Sequence, residues 1–410
     1  MRIVRFSVRT AHGHFALFGT VAALACASLV AKPASAAVSD VAVGHNFSCA
    51  VVGALGSSGP VKCWGRNDWG QLGADYPWQH SGPIAVSGLT GVRQLAVGEA
   101  HACALLSNST VKCWGFNGYG NVGNSSASRT APKLVPTLVS GLSKVAAIAA
   151  GGNHTCAISG STSAVMCWGS NIYGELGNGS KSQYSVKPVT ATGISRAKSI
   201  AVGENHSCVL ITGGQVRCWG LDATSQLGDG VNASTDVANP TVRRTSVLVK
   251  GLTTATAIAA GSATTCALLA TNSVRCWGSN GASQIGAGPE APAVVKTPTQ
   301  VGPGLLPAAK GIAMGAGHAC AVIKVGGVWC WGDGTSGQTG IGQTIVSWLP
   351  DQLLRMGDLP MGTPTKMALG KDHTCAIIGT SLYCWGGNTD GQLGIGSTAF
   401  QAIAKLVPTL

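Results

Sequence analysis

The chain has 410 residues, of which 45% are hydrophobic, 10% charged and 5% aromatic, with 59 glycines and a formal net charge of +12. So apolar a composition excludes an intrinsically disordered protein. The abundance of glycine and turn residues over helix formers argues for an all-β fold.

The first 36 residues stand apart from the rest. Arg2, Arg5 and Arg9 precede an apolar run from Phe15 to Ala31, and Ala34-Ser35-Ala36 follows as a small-residue cleavage pattern. This is the layout of a secretory signal peptide cut after Ala36, leaving residues 37–410 as one domain. The apolar run is marginal for a membrane-spanning helix, so a retained anchor is the weaker reading. Cleavage would discard Cys26, make the cysteine count even and lower the net charge to +8, since the segment carries Arg2, Arg5, Arg9 and Lys32 and no acid. The expected location is extracellular or periplasmic. The remaining charge looks thinly spread, with Arg243, Arg244 and Lys250 as its tightest group.

From residue 38 onward the chain repeats itself seven times. Each unit opens on a short apolar segment ending in Gly, such as Leu95-Ala96-Val97-Gly98. A second apolar segment carries Gly-x-x-His-x-Cys-Ala, and after a polar turn a third carries Val-x-Cys-Trp-Gly. A glycine turn follows, fullest in Asn67-Asp68-Trp69-Gly70-Gln71-Leu72-Gly73, and a Pro-containing segment such as Pro132-Lys133-Leu134-Val135 ends the unit. The Trp-Gly tryptophans lie 50, 54, 51, 58, 54 and 54 residues apart. Four short strands per unit at this period describe the blade of a propeller. The last six residues repeat Lys133 to Leu138, while Val41-Ala42-Val43-Gly44 stands alone at the start. A ring closed by pairing the N- and C-terminal strands in one shared blade is therefore expected, which would remove the last free edges.

The fourteen remaining cysteines form seven near pairs: Cys49 with Cys63, Cys103 with Cys113, Cys156 with Cys167, Cys208 with Cys218, Cys266 with Cys276, Cys320 with Cys330, and Cys375 with Cys384. Folding back across the polar turn sets the members opposite each other on antiparallel strands, within reach of a disulfide. A zinc site from His and Cys two apart is the rival. It is disfavoured because Phe47 and Thr264 replace the histidine in two units while the cysteines persist. No metal and no cofactor is expected. His101, His154, His206, His318 and His373 recur at one repeat position, as hydrogen-bonding structural residues would.

The motifs Cys-Trp-Gly-x-Asn-x-x-Gly-Gln-Leu-Gly and Gly-x-x-His-x-Cys-Ala, recurring over residues 38–410, resemble those of the regulator of chromosome condensation repeat family. The resemblance implies a seven-bladed β-propeller. It leaves function open, because the family includes a nuclear exchange factor for a small GTPase, a plant ultraviolet photoreceptor and a secreted inhibitor of β-lactamases.

Function is sought where the repeats differ. Two places after the repeat asparagine, blades one to three carry Trp69, Tyr119 and Tyr173, whereas the other blades carry Thr224, Ala282, Ser336 and Asp390. Aromatics on equivalent loops of neighbouring blades are candidate anchors for a partner, Trp78 in a variable loop is a fourth candidate, and Phe116 and Trp348 also lie in or beside variable loops. Acids are scattered, Glu99 and Glu204 share one repeat slot rather than forming a pair, and no hydrolase, metalloprotease or phosphate-loop motif appears. A monomeric, non-catalytic exported propeller is expected, binding a protein or a cell-envelope polymer but no nucleic acid. Enzyme inhibition, guanine-nucleotide exchange and cryptic hydrolase or lyase activity on wall polysaccharide are the alternatives.

Overall fold

The computed structural model describes residues 37–57, 59–74, 78–231, 241–352, 362–408 and 410, without the side chains of 129 and 130. The expected signal peptide and much of the segment between Asp229 and Lys250 lie outside the described residues.

Seven four-stranded antiparallel sheets follow one another along the chain, and no helix occurs among the described residues. Blade one consists of an inner strand Val38–Val43, a second strand Phe47–Val52, a third strand Val61–Arg66 and an outer strand Gln79–Ala85, paired in that order. The inner strands of all seven blades lie side by side around the axis. Second strands such as His101–Leu106 and His154–Ser159 are buried at every residue. Both faces of a blade are covered by its neighbours, so the alternation of a half-buried sheet disappears there. Outer strands are half-exposed edges, and Pro83, Pro132, Pro188, Pro298 and Pro350 stand on them. Proline lacks an amide donor, so such an edge is a poor template for another chain.

The cysteine pairs are directly opposed in register and disulfide-bonded within each blade, as the sequence led us to expect. Cys49–Cys63 of blade one has its Cα atoms 4.1 Å apart, and Cys103–Cys113 of blade two 4.0 Å. The same bond joins Cys156–Cys167, Cys208–Cys218, Cys266–Cys276, Cys320–Cys330 and Cys375–Cys384 in blades three to seven, each with Cα atoms 4.1 Å apart. In each of these blades Cys167, Cys218, Cys276, Cys330 or Cys384 lies on the third strand, facing its partner on the second. Immediately after the Trp that follows each second cysteine, glycine takes positive φ (97° at Gly115, 108° at Gly220) where the third strand slips register against the outer strand. That conformation favours glycine, and such a slip bends the strand locally.

The ring closes differently from the sequence expectation. No blade is shared between the chain ends: Val38–Val43 pairs with Phe47–Val52, and Gln401–Leu406 pairs with Ser381–Gly386. The apolar segment ending in Gly begins its own blade, so each repeat is a complete sheet. Closure is lateral packing of blade seven on blade one, in a cluster containing Val38, Trp64, Ile377, Leu393, Val407 and Leu410.

One bonding scheme joins every pair of neighbours. Trp114 Nε1–H donates to the carbonyl of Gln71 in the preceding blade at 2.9 Å, Trp219 to Glu175 at 2.7 Å, and Trp64 to Gln392 across the closing seam at 2.9 Å. The seven indoles are at most 1% exposed. The repeated histidines reach the next blade in turn: His101 Nε2 meets Thr155 Oγ1 at 2.7 Å, His154 meets Ser207 at 2.8 Å and His373 meets Ser48 at 2.9 Å. The hydroxyls of Ser48 and Ser207 donate to the carbonyls of Gln392 and Glu175, so the histidine is the donor to them. Where Phe47 and Thr264 replace histidine, the facing residue of the next blade is Ala102 or Ala319 instead of a hydroxyl.

Glycine completes the axis. Gly44, Gly98, Gly151, Gly203, Gly261, Gly315 and Gly370 form a circle in which a Cβ on each would overlap the carbonyl oxygen of the next, including Gly370 on Gly44. A side chain larger than hydrogen would hold the inner strands apart.

Candidate functional site

Strand direction assigns the loops to two faces. Inner strands run toward one face, where they turn into the second strands and where third strands turn into outer strands. Trp69, Tyr119 and Tyr173 lie in the third-to-outer turns of this face.

The turn is built identically seven times around one polar side chain. Gln71 Oε1 accepts the backbone N–H of Trp69 at 2.9 Å, Asn121 Oδ1 accepts that of Tyr119 at 3.1 Å, and Glu175 Oε2 accepts that of Tyr173 at 2.8 Å. Thr224, Ala282, Ser336 and Asp390 are held by Gln226, Gln284, Gln338 and Gln392 at 2.9 Å each. The same residue's backbone carbonyl accepts the next blade's indole, so each variable position is tied to an inter-blade joint. Such a position is pre-organised, and a partner need not order it. Burial pushes the Glu175 carboxyl up, against hydrogen bonds from Ser170 and the Tyr173 amide and the positive charge of Arg244.

The structure brings part of the candidate set together. Trp69 and Phe116 meet edge to face with ring centroids 5.0 Å apart, and Phe116 meets Tyr119 at 6.1 Å, so the cluster bridges blades one and two. These are favourable aromatic geometries. Phe116 occupies the place of Arg66 in blade one, and Gly118 leaves the room that its ring fills. Sequence reading places Phe116 beside the loops but not in the site; a second aromatic three residues before Tyr119 is the signal available. Tyr173 sits half-buried in the next blade, where the Arg244 guanidinium donates to the backbone carbonyls of Asn171, Ile172 and Ser180. Trp69 is 37% exposed and Trp78 is 76% exposed at the rim. Phe400, exposed just before the outer strand of blade seven, extends this rim and was not singled out from the sequence.

Polar groups surround the cluster. Arg66 pairs with Asp68 in the same turn, and Asn46 Nδ2 donates to Asp390 at 2.6 Å across the closing seam. At the axial mouth Glu99 accepts from Asn153 Nδ2 at 2.9 Å with His45 at 3.9 Å, while Glu204 accepts from Ser262. The two glutamates thus have separate partners and do not form an acid–base pair. Burial lowers the repeated histidines to about 4 in His101, His206 and His318 and to about 3 in His154 and His373. Their Nδ1 atoms have no hydrogen-bond partner among the described residues, and with the proton on Nε2 the ring stays neutral. Among the described residues no three His, Cys, Asp or Glu side chains converge as a metal site.

Comparison with known proteins agrees with this architecture. A family model described as RCC1-like domain matches residues 23–305, and one described as Regulator of chromosome condensation (RCC1) repeat matches residues 325–377. The Ultraviolet-B receptor UVR8 of Arabidopsis thaliana is 28% identical over 75% of this chain and 68% of the receptor. The E3 ubiquitin-protein ligase HERC2 of Homo sapiens is 29% identical over 70% of this chain but only 6% of the ligase. Among solved structures, Prp20p from Saccharomyces cerevisiae superposes with a TM-score of 0.72 at 21% identity, covering 91% of this chain and 87% of Prp20p. Human WBSCR16 gives the same TM-score and identity over 84% of this chain and 87% of its own.

Proposed function

The chain belongs to the RCC1-like domain family, and on that premise we propose that it is an exported, non-catalytic scaffold that binds a protein or cell-envelope partner. Binding runs through the third-to-outer turns of one face. The observation that carries this reading is the Trp69–Phe116–Tyr119 cluster, set across a blade joint on turns whose backbones are fixed. Aromatic anchors on rigid turns are what binding hot spots use. Tyr173 and the rim residue Trp78 extend the same surface. Export is supported by the pattern of residues 1–36 and by fourteen cysteines held in disulfides, which persist in oxidising compartments. Because the chain spans so little of HERC2, the ligase's activity is not carried over.

Inhibition of an enzyme is the second reading, favoured by the same observation: a rigid aromatic patch can stopper an active-site cleft. Both are tested by capture from cell-envelope extract, comparing the parent with Trp69→Ala/Phe116→Ala/Tyr119→Ala. A stoichiometric partner that the triple variant loses is the expected result. Turnover of a wall polymer by the purified protein alone would overturn the proposal.

A further inference from the structure

One face of the ring carries exposed cations with few acids among them. Hairpins between second and third strands, and connections from each outer strand to the next inner strand, all emerge on the face opposite the aromatic cluster. Among the described residues, none of these segments carries Asp or Glu. Arg93, Lys198 and Lys310 are the exposed second residues of the inner strands of blades two, four and six, so they are spread around the ring. Lys144 and Arg196 lie in connections, and Lys324 in a hairpin, all exposed on this face. Asp40, at the start of an inner strand, is held by Lys366 and by the amide of Leu95. The opposite face is mixed: it holds Asp68, Glu99, Glu204, Asp333, Asp372 and Asp390 together with Arg66, Lys181, Arg244 and Lys371.

Apolar side chains project from the basic face among its cations. Val325, next to Lys324 at a hairpin tip, is 93% exposed, Leu305 is 52% exposed and Leu55 is 51% exposed. Lys324 N–H donates to the carbonyl of Ala308 at 2.9 Å, which joins the Val325 hairpin to the connection that carries Leu305 and leads to Lys310. Gly56 N–H donates to the carbonyl of Val92 at 2.8 Å, which sets Leu55 beside Arg93. Cations around a plane with protruding aliphatic tips suit a bilayer of anionic lipids: the charges meet the headgroups and the tips enter the acyl boundary. A soluble polyanion would use the cations alone and leave Val325, Leu305 and Leu55 without a role.

We propose that this basic face docks peripherally on an anionic lipid surface, so that the aromatic cluster on the other face is presented outward. The docking does not depend on the partner reading of that cluster. The test is flotation of the full chain with phosphatidylcholine vesicles, with and without phosphatidylglycerol. Binding is expected to the phosphatidylglycerol vesicles and to weaken as salt rises. Each cation removed should lower affinity about five-fold, so Arg93→Gln/Lys198→Gln/Lys310→Gln should lose about a hundred-fold. Leu305→Asn/Val325→Asn should lose about ten-fold or more with the salt dependence unchanged. Trp69→Ala/Phe116→Ala/Tyr119→Ala should float like the parent. All substituted residues are on the surface, and an unchanged melting transition verifies each variant's fold. Equal binding to neutral and anionic vesicles, or no loss in the cation variant, overturns the proposal. So does cation-dependent binding to dextran sulfate without binding to anionic vesicles, which would assign the face to a soluble polyanion.

Discussion

Asp222 shows how a single residue can depart from the repeat at a cost. It stands where blades one, two, three, five and seven have asparagine, and its Oδ1 accepts the amide of Leu227 at 3.0 Å as Asn67 and Asn388 accept those of Leu72 and Leu393. Those asparagines also donate through Nδ2 to carbonyls of their own turns, whereas Asp222 Oδ2 is buried with no partner among the described residues. Burial raises its pKa to about 6, helped by Asp229 and opposed by the Leu227 amide and Arg243. A carboxyl raised in the folded state destabilises above that value and is neutral below its unfolded pKa of about 3.9. Asp222→Asn should therefore stabilise the fold by roughly 1–3 kcal/mol at pH 7.5 and by almost nothing near pH 3.5. Denaturant midpoints at the two pH values check this; an equal gain at both would refute the electrostatic origin. The five buried histidines act with the opposite sign. Their folded pKa values of about 3–4 lie below the unfolded value of about 6.5, so their full contribution is present above pH 6.5 and is lost as pH falls toward 4. Each site should add about 1.4 kcal/mol per pH unit to the slope of stability in that window.

At the scale of the strand, stability rests on links within and between blades. Removing Cys103–Cys113 as a double alanine variant should cost about 2–3 kcal/mol in denaturant unfolding, given its short loop of sequence separation 10. Peptide mapping without reductant should join each cysteine to its near neighbour and to no other blade. Between blades, the Phe47–Ala102 facing pair serves as a natural replacement for histidine and hydroxyl. His154→Phe alone leaves the Ser207 hydroxyl beside an apolar ring, donating to Glu175 but without the N–H it accepts, and Ser207→Ala alone strands the imidazole N–H. The double variant should be more stable than the sum of the two losses by about 1–2 kcal/mol, and it should also flatten the acid slope by one histidine's share. A strictly additive cycle would refute the pairing. These elements were legible in the sequence because repetition makes them so: seven copies of Cys-Trp-Gly identify the third strand, and a polar turn between two cysteines identifies a hairpin. What repetition hid was partnership across a joint. His154 and Ser207 are 53 positions apart, and only the stacking of blades makes them neighbours. Phe116 joined the aromatic site for the same reason, since its contact with Trp69 crosses a joint.

For the whole molecule, the sequence concealed two things, and both depend on strand direction. Acids that look scattered along the chain gather in the turns beyond the ends of the inner strands, which leaves the cations at the starts of inner strands and in the connections to dominate the other face. The phase of the repeat was equally hidden: seven similar units read the same from any starting strand, so the matching ends suggested a shared blade that does not exist. Each blade being complete has a consequence for closure. The seam between blades seven and one has the same indole-to-carbonyl bond, the same histidine-to-hydroxyl bond and the same glycine contact as the other joints that carry them. It lacks only a peptide connection, and Val38, Val407 and Leu410 already meet in one cluster there. A circular permutant that links Leu410 to Ala37 and opens the chain at the exposed Gly141 should therefore fold, because the break moves from one equivalent joint to another. Its unfolding should stay cooperative, with a denaturant midpoint corresponding to within about 1 kcal/mol of the unpermuted domain. A ring held shut by a strand exchanged between the chain ends would instead lose cooperativity when opened within the connection between blades two and three. Loss of the single transition in the permutant would show that the closing seam carries something the other joints do not.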